Sequence, residues 1–259
     1  MATSQKPVVV VTGGGAGIGK AICQALCDEY ETIVIDRDAA NAQATAQEIG
    51  GWAIQADLSL KGENERAISK VVQRYGKLDA LVLNAGIVRA GTVLSLSDED
   101  WLATMNINLS SAFWMCRAAL PYLEGQGSIV GISSLSALRV GPDLAAYAAS
   151  KAAFSMLLQS IAVDFGPKGV RANTICPGWI RTPMADQEMQ TYADKKSITI
   201  EEAYNQATSL TPVRRAGKPS EVAAMVKWML SPLANYLNGA VLPLDGGLTA
   251  LDPGTTTLS

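Results

Sequence analysis

The chain has 259 residues, 48% of them hydrophobic, with a formal net charge of -3 and no histidine. That length buries one large core without forcing a second domain, and the missing histidine excludes a Ser-His-Asp triad, His-ligated zinc and any imidazole acid or base. Lys and Arg are scattered rather than clustered, which leaves no electrostatic footprint for nucleic acid, and no apolar run reaches the length of a membrane span.

Cys23, Cys27, Cys116 and Cys176 lack metal-ligand spacing. No metal site and no disulfide framework is expected, and a reducing, cytoplasmic compartment is. The opening MATSQKPVVVV contains no signal-peptide core and passes directly into a β-branched run, Val8 to Val11, read as the first strand.

After that strand comes Thr12-Gly13-Gly14-Gly15-Ala16-Gly17-Ile18-Gly19, leading into a helix predicted over 17–29. Glycines let the backbone turn tightly and approach a pyrophosphate, whose charge then meets the helix N-terminus. The spacing of Gly13, Gly17 and Gly19 is Gly-x-x-x-Gly-x-Gly, not Gly-x-Gly-x-x-Gly. Gly14 to Lys20 also fits a nucleoside-triphosphatase pattern, but the next residue, Ala21, has no hydroxyl for magnesium.

The second strand, Thr32 to Ile35, ends at Asp36. A carboxylate there accepts hydrogen bonds from an adenosine ribose diol and repels a 2′-phosphate, which favours NAD over NADP. Arg37 beside it could instead pair with that phosphate, and Asp36 could simply cap the helix predicted over 40–49. A third strand, Trp52 to Gln55, precedes a helix over 62–75. A fourth, Ala80 to Leu83, precedes one over 98–119 that Ser97 and Asp100 open in the manner of a capping box.

Ser128 to Ile132 forms the fifth strand and Ser134 follows it; a helix over 145–165 carries Tyr147 and Lys151. Four residues apart on a helix, those two side chains share one face. An ammonium beside a phenol favours the phenolate and lowers a pKa that is ordinarily about 10, giving an acid or base usable near neutral pH. The sixth strand, Arg171 to Ile175, is followed by the polar, methionine-bearing stretch 181–212, with helix signals at Thr199 to Glu202. Placed over the C-terminal edge of a sheet it is a candidate substrate lid; otherwise it is an ordinary surface insertion. A helix over 220–230 closes the series. Near-continuous apolar strands alternating with helices predict a single doubly wound α/β domain over 1–259, a parallel sheet with helices on both faces.

With these elements assembled, the chain resembles the short-chain dehydrogenase/reductase family over nearly its whole length. The motifs that carry the resemblance are Thr12 to Gly19, Asp57 after the third strand, Asn84-Ala85-Gly86 after the fourth, Asn108, Ser134, Tyr147 with Lys151, and Pro177-Gly178. Arg215 to Ala223 and Asp245-Gly246-Gly247 match its late segments, while the tail after Leu248 is longer and polar. The resemblance implies a Rossmann-like fold with a seven-stranded sheet, a homotetramer or homodimer, and hydride transfer between a nicotinamide cofactor and an alcohol or carbonyl.

It also implies roles for residues. Tyr147 would exchange the substrate proton, Lys151 would lower its pKa and bind the nicotinamide ribose, Ser134 would orient the substrate oxygen, and Asn108 would hold a relay water. Gly13, Gly15, Gly17, Ile18 and Gly19 would cradle the phosphates, with Asp36 and Arg37 at the adenosine ribose. Asp57 and the backbone of Leu58 would meet the adenine. Asn84, Ala85 and Gly86 would support the cofactor from the central strand, and Pro177, Gly178, Ile180 and Thr182 would lie along the nicotinamide. Substrate candidates are Ser134, Ser136, Arg139, Tyr147 and Trp179, with Leu138, Val88 and lid residues such as Gln187 nearby; Arg89, Arg139 and Arg181 are either anion ligands or solvated surface residues. The substrate expected is a small polar secondary alcohol, sugars and diols included. The alternatives are a 3-oxoacyl thioester reductase and, in another class, a catalytically silent regulatory or assembly subunit on the same scaffold.

Overall fold

The computed structural model describes residues 6–252; residues 1–5 and 253–259, the end of the polar tail, lie outside the described residues. Seven strands form one sheet: β1 (Val8–Thr12), β2 (Glu31–Asp36), β3 (Trp52–Gln55), β4 (Ala80–Leu83), β5 (Ser128–Ile132), β6 (Arg171–Pro177) and β7 (Val241–Leu244). Their order is β3-β2-β1-β4-β5-β6-β7, and neighbours pair in parallel throughout.

The strand β1 explains how one sequence serves two layers. Side chains alternate across a strand, so Val8 and Val10 enter one core while Val9 and Val11 enter the other, all four fully buried. The first core is closed by α3 (Lys61–Tyr75), α5 (Ser111–Leu123) and α6 (Ala145–Phe165). The second is closed by α1 (Gly17–Leu26), α2 (Ala39–Ile49) and α9 (Pro219–Leu230). This is the doubly wound α/β domain expected from the alternation of elements, and both faces of the sheet are covered.

Three details depart from the sequence expectation. The first helix stops at Leu26, because the N–H groups of Glu29 and Tyr30 both bond the Leu26 carbonyl and turn the chain into β2. The stretch predicted as one helix over 98–119 is α4 (Asp98–Met105), a wider π turn at Asn106–Ser110, and α5 running on to Leu123. Ser97 caps α4 by accepting from the Asp100 N–H at 3.1 Å, but the Asp100 carboxylate takes the Ser97 hydroxyl rather than its backbone N–H. A full reciprocal box stands instead on α8 (Ile200–Ala207), between Thr199 and Glu202.

The 181–212 stretch holds α7 (Pro183–Lys196) and α8, which pack through a small core of their own: Ala185, Met189 and Ala193 against Ala203 and Tyr204. No described helix is long and apolar enough to cross a membrane.

Candidate active site

Strand order reverses between β1 and β4, and the crevice at their C-terminal ends is where such sheets bind ligands. A cavity of about 430 Å³ opens there. Thr12, the polar end of an otherwise all-valine strand, ties the two strands together. Its hydroxyl accepts from the backbone N–H of Asn84 at 2.9 Å and of Ala85 at 3.1 Å. The Asn84 amide returns the link, donating to the carbonyls of Thr12 at 3.1 Å and Gly13 at 3.0 Å. Behind this knot a Cβ on Gly19 would run into the Gly13 carbonyl, so only glycine lets α1 start this close to the turn.

At the tip of β2, Asp36 Oδ2 accepts from the Gly15 N–H and Oδ1 from the Asp38 N–H, both at 3.0 Å. The cap of α2 is Asp38, which accepts from the Asn41 N–H at 3.0 Å. Asp36 therefore holds the glycine turn and faces the cavity rather than closing the helix. Beyond β3, the buried amide of Asn64 donates to the carbonyls of Leu58 and Leu60, 2.9 Å each, and fixes the loop that brings Asp57 and Leu58 to the cavity wall.

The other end of the cavity is made by α6. Lys151 is 5% exposed, and its ammonium donates to the Ile132 carbonyl at the end of β5, 2.9 Å away. Burial pulls its pKa from the ordinary 10.5 down to about 8. Tyr147 lies on the same helix face, with the ammonium 5.8 Å from its ring centre. Burial raises the phenol pKa, a hydrogen bond with Ser134 works against that rise, and the negative charge of Glu188 adds to it. The lysine is not among the groups that move this phenol, so it does not lower it in the way the four-residue spacing predicts; desolvation dominates.

Asn108 reaches this end because the π turn rotates it inward. Its Oδ1 accepts from the Ile87 N–H at 2.8 Å, and its amide donates to the Ile87 carbonyl at 2.9 Å and to Ser150 Oγ at 3.0 Å. A Cβ built on Gly86 would stand 3.3 Å from both Asn108 Oδ1 and Lys151 Nζ, so the three groups converge. Together these elements give a phenol and a serine hydroxyl beside a buried ammonium, a set able to bind a carbonyl oxygen and exchange a proton with it.

Of the residues picked from sequence, the cavity wall includes Gly13, Gly17, Ile18, Asp36, Arg37, Asp57, Leu58, Asn84, Ala85, Gly86, Tyr147, Lys151 and Thr182. Gly15 and Gly19 stand directly behind it, and Ser134 and Asn108 adjoin its other end through Tyr147 and Gly86. Pro177 ends β6, and Gly178 bonds the Leu244 carbonyl at 3.0 Å. Ile180 is buried and bridges to Gly217; with Trp179 it lines a separate cavity of about 170 Å³. Trp179 also packs against the α7–α8 core. The Ser136 N–H donates to Ser134 Oγ at 3.1 Å, and exposed Arg139 bonds its own loop at Leu138. Arg89 pairs with Asp100 at 3.2 Å, while Arg181 pairs with Glu201.

Sequence reading missed Thr12 as the strand tie, Asn64, Ser150 and the wall residues Ile87, Ile107, Ser133 and Met184. Only Thr12 carried a usable signal, a hydroxyl closing a run of four valines. The wall fits a nicotinamide dinucleotide. It offers a glycine turn under a helix N-terminus with no Cβ in the way, a carboxylate at the β2 tip, and a phenol and an ammonium at the opposite end.

Comparison with known proteins agrees with this geometry. A family model described as enoyl-(acyl carrier protein) reductase matches residues 13–249. The chain is 33% identical over 249 residues to the 3-oxoacyl-[acyl-carrier-protein] reductase FabG of Thermotoga maritima, covering 93% of this chain and 97% of that one. The ligand-free aldohexose dehydrogenase of Thermoplasma acidophilum superposes with a TM-score of 0.88 at 31% identity, covering 96% of each chain. A variant of the actinorhodin polyketide ketoreductase with NADPH gives a TM-score of 0.91 at 31% identity, covering 97% of this chain and 100% of that one.

Proposed function

Because the chain belongs to the short-chain dehydrogenase/reductase family, whose members are oxidoreductases that bind a nicotinamide cofactor, we propose that it interconverts a secondary alcohol and a ketone with NAD. The observation that carries this reading is the meeting of Tyr147, Ser134 and Lys151 at one end of a cavity whose other end holds the Asp36 carboxylate.

Bound nicotinamide supplies the hydride acceptor for oxidation, or the donor for reduction. The chain supplies the rest. Ser134 hydrogen-bonds the substrate oxygen and orients it, and Tyr147 removes the alcohol proton or returns it to the ketone. Lys151 would bind the ribose hydroxyls of the cofactor and hold its positive charge on the Tyr147 side of the cavity. Asn108, held by Ile87 and Ser150, lines the route by which that proton reaches solvent. Asp36 takes the adenosine ribose diol, and its charge opposes a 2′-phosphate. Arg37, also on the wall, is the feature that favours NADP instead.

The substrate we assign is a small polar secondary alcohol, with sugars and diols included, closed in by the α7–α8 segment acting as a lid. A 3-oxoacyl thioester is the second reading, supported by the similarity to FabG. We further propose a homo-oligomer, a tetramer rather than a dimer, to cover the apolar side chains exposed along α4 to α6 (Trp101, Phe113, Met156, Val163) and those in and after α9 (Trp228, Leu233, Tyr236). Light scattering tests this directly.

Spectrophotometric NADH formation, screened over sugars, polyols, hydroxy acids and hydroxysteroids, finds the substrate. On that substrate Tyr147→Phe should lower kcat by at least about a hundredfold, with the NADH dissociation constant unchanged within a few-fold. Equal turnover by the variant would sink the catalytic assignment.

A further inference from the structure

The helix α7 has two faces with different occupants. Ala185, Met189 and Ala193 recur every four residues and are buried against α8. Met184 lines the main cavity together with Tyr147 and Lys151. Glu188 stands one turn beyond Met184, on the same side of the helix, which places it just outside the Met184 wall on the side of Tyr147. Its charge is near enough to act on the Tyr147 phenol, and the side chain is half-buried.

Every other described carboxylate of the 181–212 segment has a partner. Asp186 accepts from the Tyr204 hydroxyl at 2.8 Å, Asp194 from the Gln190 amide at 2.7 Å, Glu201 pairs with Arg181, and Glu202 accepts from Thr199 at 2.7 Å. Among the described residues Glu188 alone of this set has no hydrogen bond and no ion pair. Withdrawing a carboxylate from water without a partner is unfavourable, and burial raises the Glu188 pKa accordingly. A group held that way beside a reacting centre favours whatever arrives with a hydrogen to donate.

We infer that Glu188 is a specificity residue: it accepts a hydrogen bond from a hydroxyl or ammonium group on the substrate distal to the reacting carbon, and it turns away substrates bearing a distal carboxylate or phosphate. This rests on the alcohol/ketone reading above and narrows it. The occupant it fits is a polyol or an amino alcohol. The other lid candidate, Gln187, is exposed on the neighbouring position of the helix.

The test is Glu188→Gln, which keeps size and shape and removes only the charge. Four alcohols of matched length are compared with NAD: a short polyol, the corresponding amino alcohol, the corresponding hydroxy acid, and an unsubstituted secondary alcohol. The variant should lose about five- to tenfold in kcat/KM on the preferred donor-bearing substrate, gain on the hydroxy acid and stay level on the unsubstituted alcohol. The dissociation constant of the donor-bearing alcohol, measured by calorimetry, should rise in parallel while that of NADH does not. Loss on the polyol points to a hydroxyl as the occupant, and a larger loss on the amino alcohol points to an ammonium. A uniform change across all four, or none, would overturn the inference while leaving the Tyr147 assignment standing. Wild-type enzyme that turns over none of them would overturn the substrate reading and this inference together.

Discussion

The ammonium of Lys151 is bonded to the carbonyl oxygen of Ile132, 2.9 Å away, at the last residue of β5. A cation from the middle of one face of α6 is thus fastened to the end of the central sheet. This orients α6 and brings Tyr147 to the mouth of the cavity. It also buries a charge, and that has a measurable effect on stability.

In the folded chain Lys151 titrates at about 8, against 10.5 for the ordinary group. Between those values the unfolded chain holds a proton that the folded one has lost, so wild-type stability rises with pH across that window. Below it, the folded state bears the full unfavourable burial of the ammonium. Lys151→Met removes this term and leaves the Ile132 carbonyl without its donor, an opposing loss of about 1–3 kcal/mol. The variant's stability relative to wild type should therefore be highest below pH 8 and fall by up to about 3 kcal/mol as the pH reaches the ordinary lysine range. Urea midpoints of the cofactor-free proteins at pH 7 and pH 10 check it. A difference that does not move with pH would show that the ammonium is not buried as described.

The Tyr147 phenol is held above its ordinary value by burial, with Ser134 pulling the other way. Oxidation needs the phenolate and reduction needs the phenol. Alcohol oxidation should accordingly climb with pH through and above neutrality, by up to about tenfold per unit below the controlling pKa, while ketone reduction stays level and then declines. Ser134→Ala removes the bond that favours the phenolate. Its oxidation limb should shift to higher pH, in addition to any loss of rate from the missing contact to substrate. A profile that keeps its wild-type position would separate Ser134 from the proton transfer.

Asp36 has two duties that a single variant can split. Its carboxylate holds the N–H groups of Gly15 and Asp38, and it faces the cavity where an adenosine ribose would lie. Asp36→Ala should cost about tenfold or more in kcat/KM with NAD and improve the relative use of NADP, because the repelling charge is gone and Arg37 remains. It should also lower the melting temperature by a few degrees through the lost turn bonds. An unchanged NAD/NADP ratio beside a lowered melting temperature would leave only the structural duty.

The central strands were readable because burial on both faces demands continuous β-branched runs, as in Val8 to Val11, and because chain-local patterns determine helices such as α6. What could not be read depends on groups far apart in sequence. The π turn exists where Asn108 meets the backbone of Ile87, 21 residues away, and no local periodicity records such a meeting. The hydroxyl of Thr12 finds its partners 72 and 73 residues on. The spacing of Tyr147 and Lys151 gave their shared face but not the competing claim of the Ile132 carbonyl on the ammonium. Trp179 looked like a pocket aromatic, and the same apolar ring serves equally to pack against α7 and α8. Gln187 and Glu188 are equivalent polar letters in the sequence, and only the packing of α7 leaves the first exposed and the second half-buried.

The α7–α8 pair offers a way to loosen the segment over the site without touching the site. Tyr204 is 3% exposed; its hydroxyl donates to Asp186 on α7 at 2.8 Å, and the Arg181 guanidinium lies 4.6 Å from its ring centre. Arg181 in turn reaches Glu201 on α8, so the chain entering α7 and both helices are fastened around one ring. The two fastenings differ in kind. The Arg181–Glu201 pair is open to solvent, where such pairs contribute about 0–1 kcal/mol, so Glu201→Ala should change substrate KM less than about threefold. The Tyr204 bond is part-buried, its ring enclosed and the Asp186 carboxylate partly open to water, and is worth about 1–2 kcal/mol. Tyr204→Phe keeps the ring and removes only that bond. It should raise substrate KM several-fold and speed amide exchange across 183–207, while the exchange of β1 and β4 and the NADH dissociation constant stay as in wild type. Faster exchange spread evenly over the sheet would mean that the segment is continuous with the main core rather than separately hinged above it.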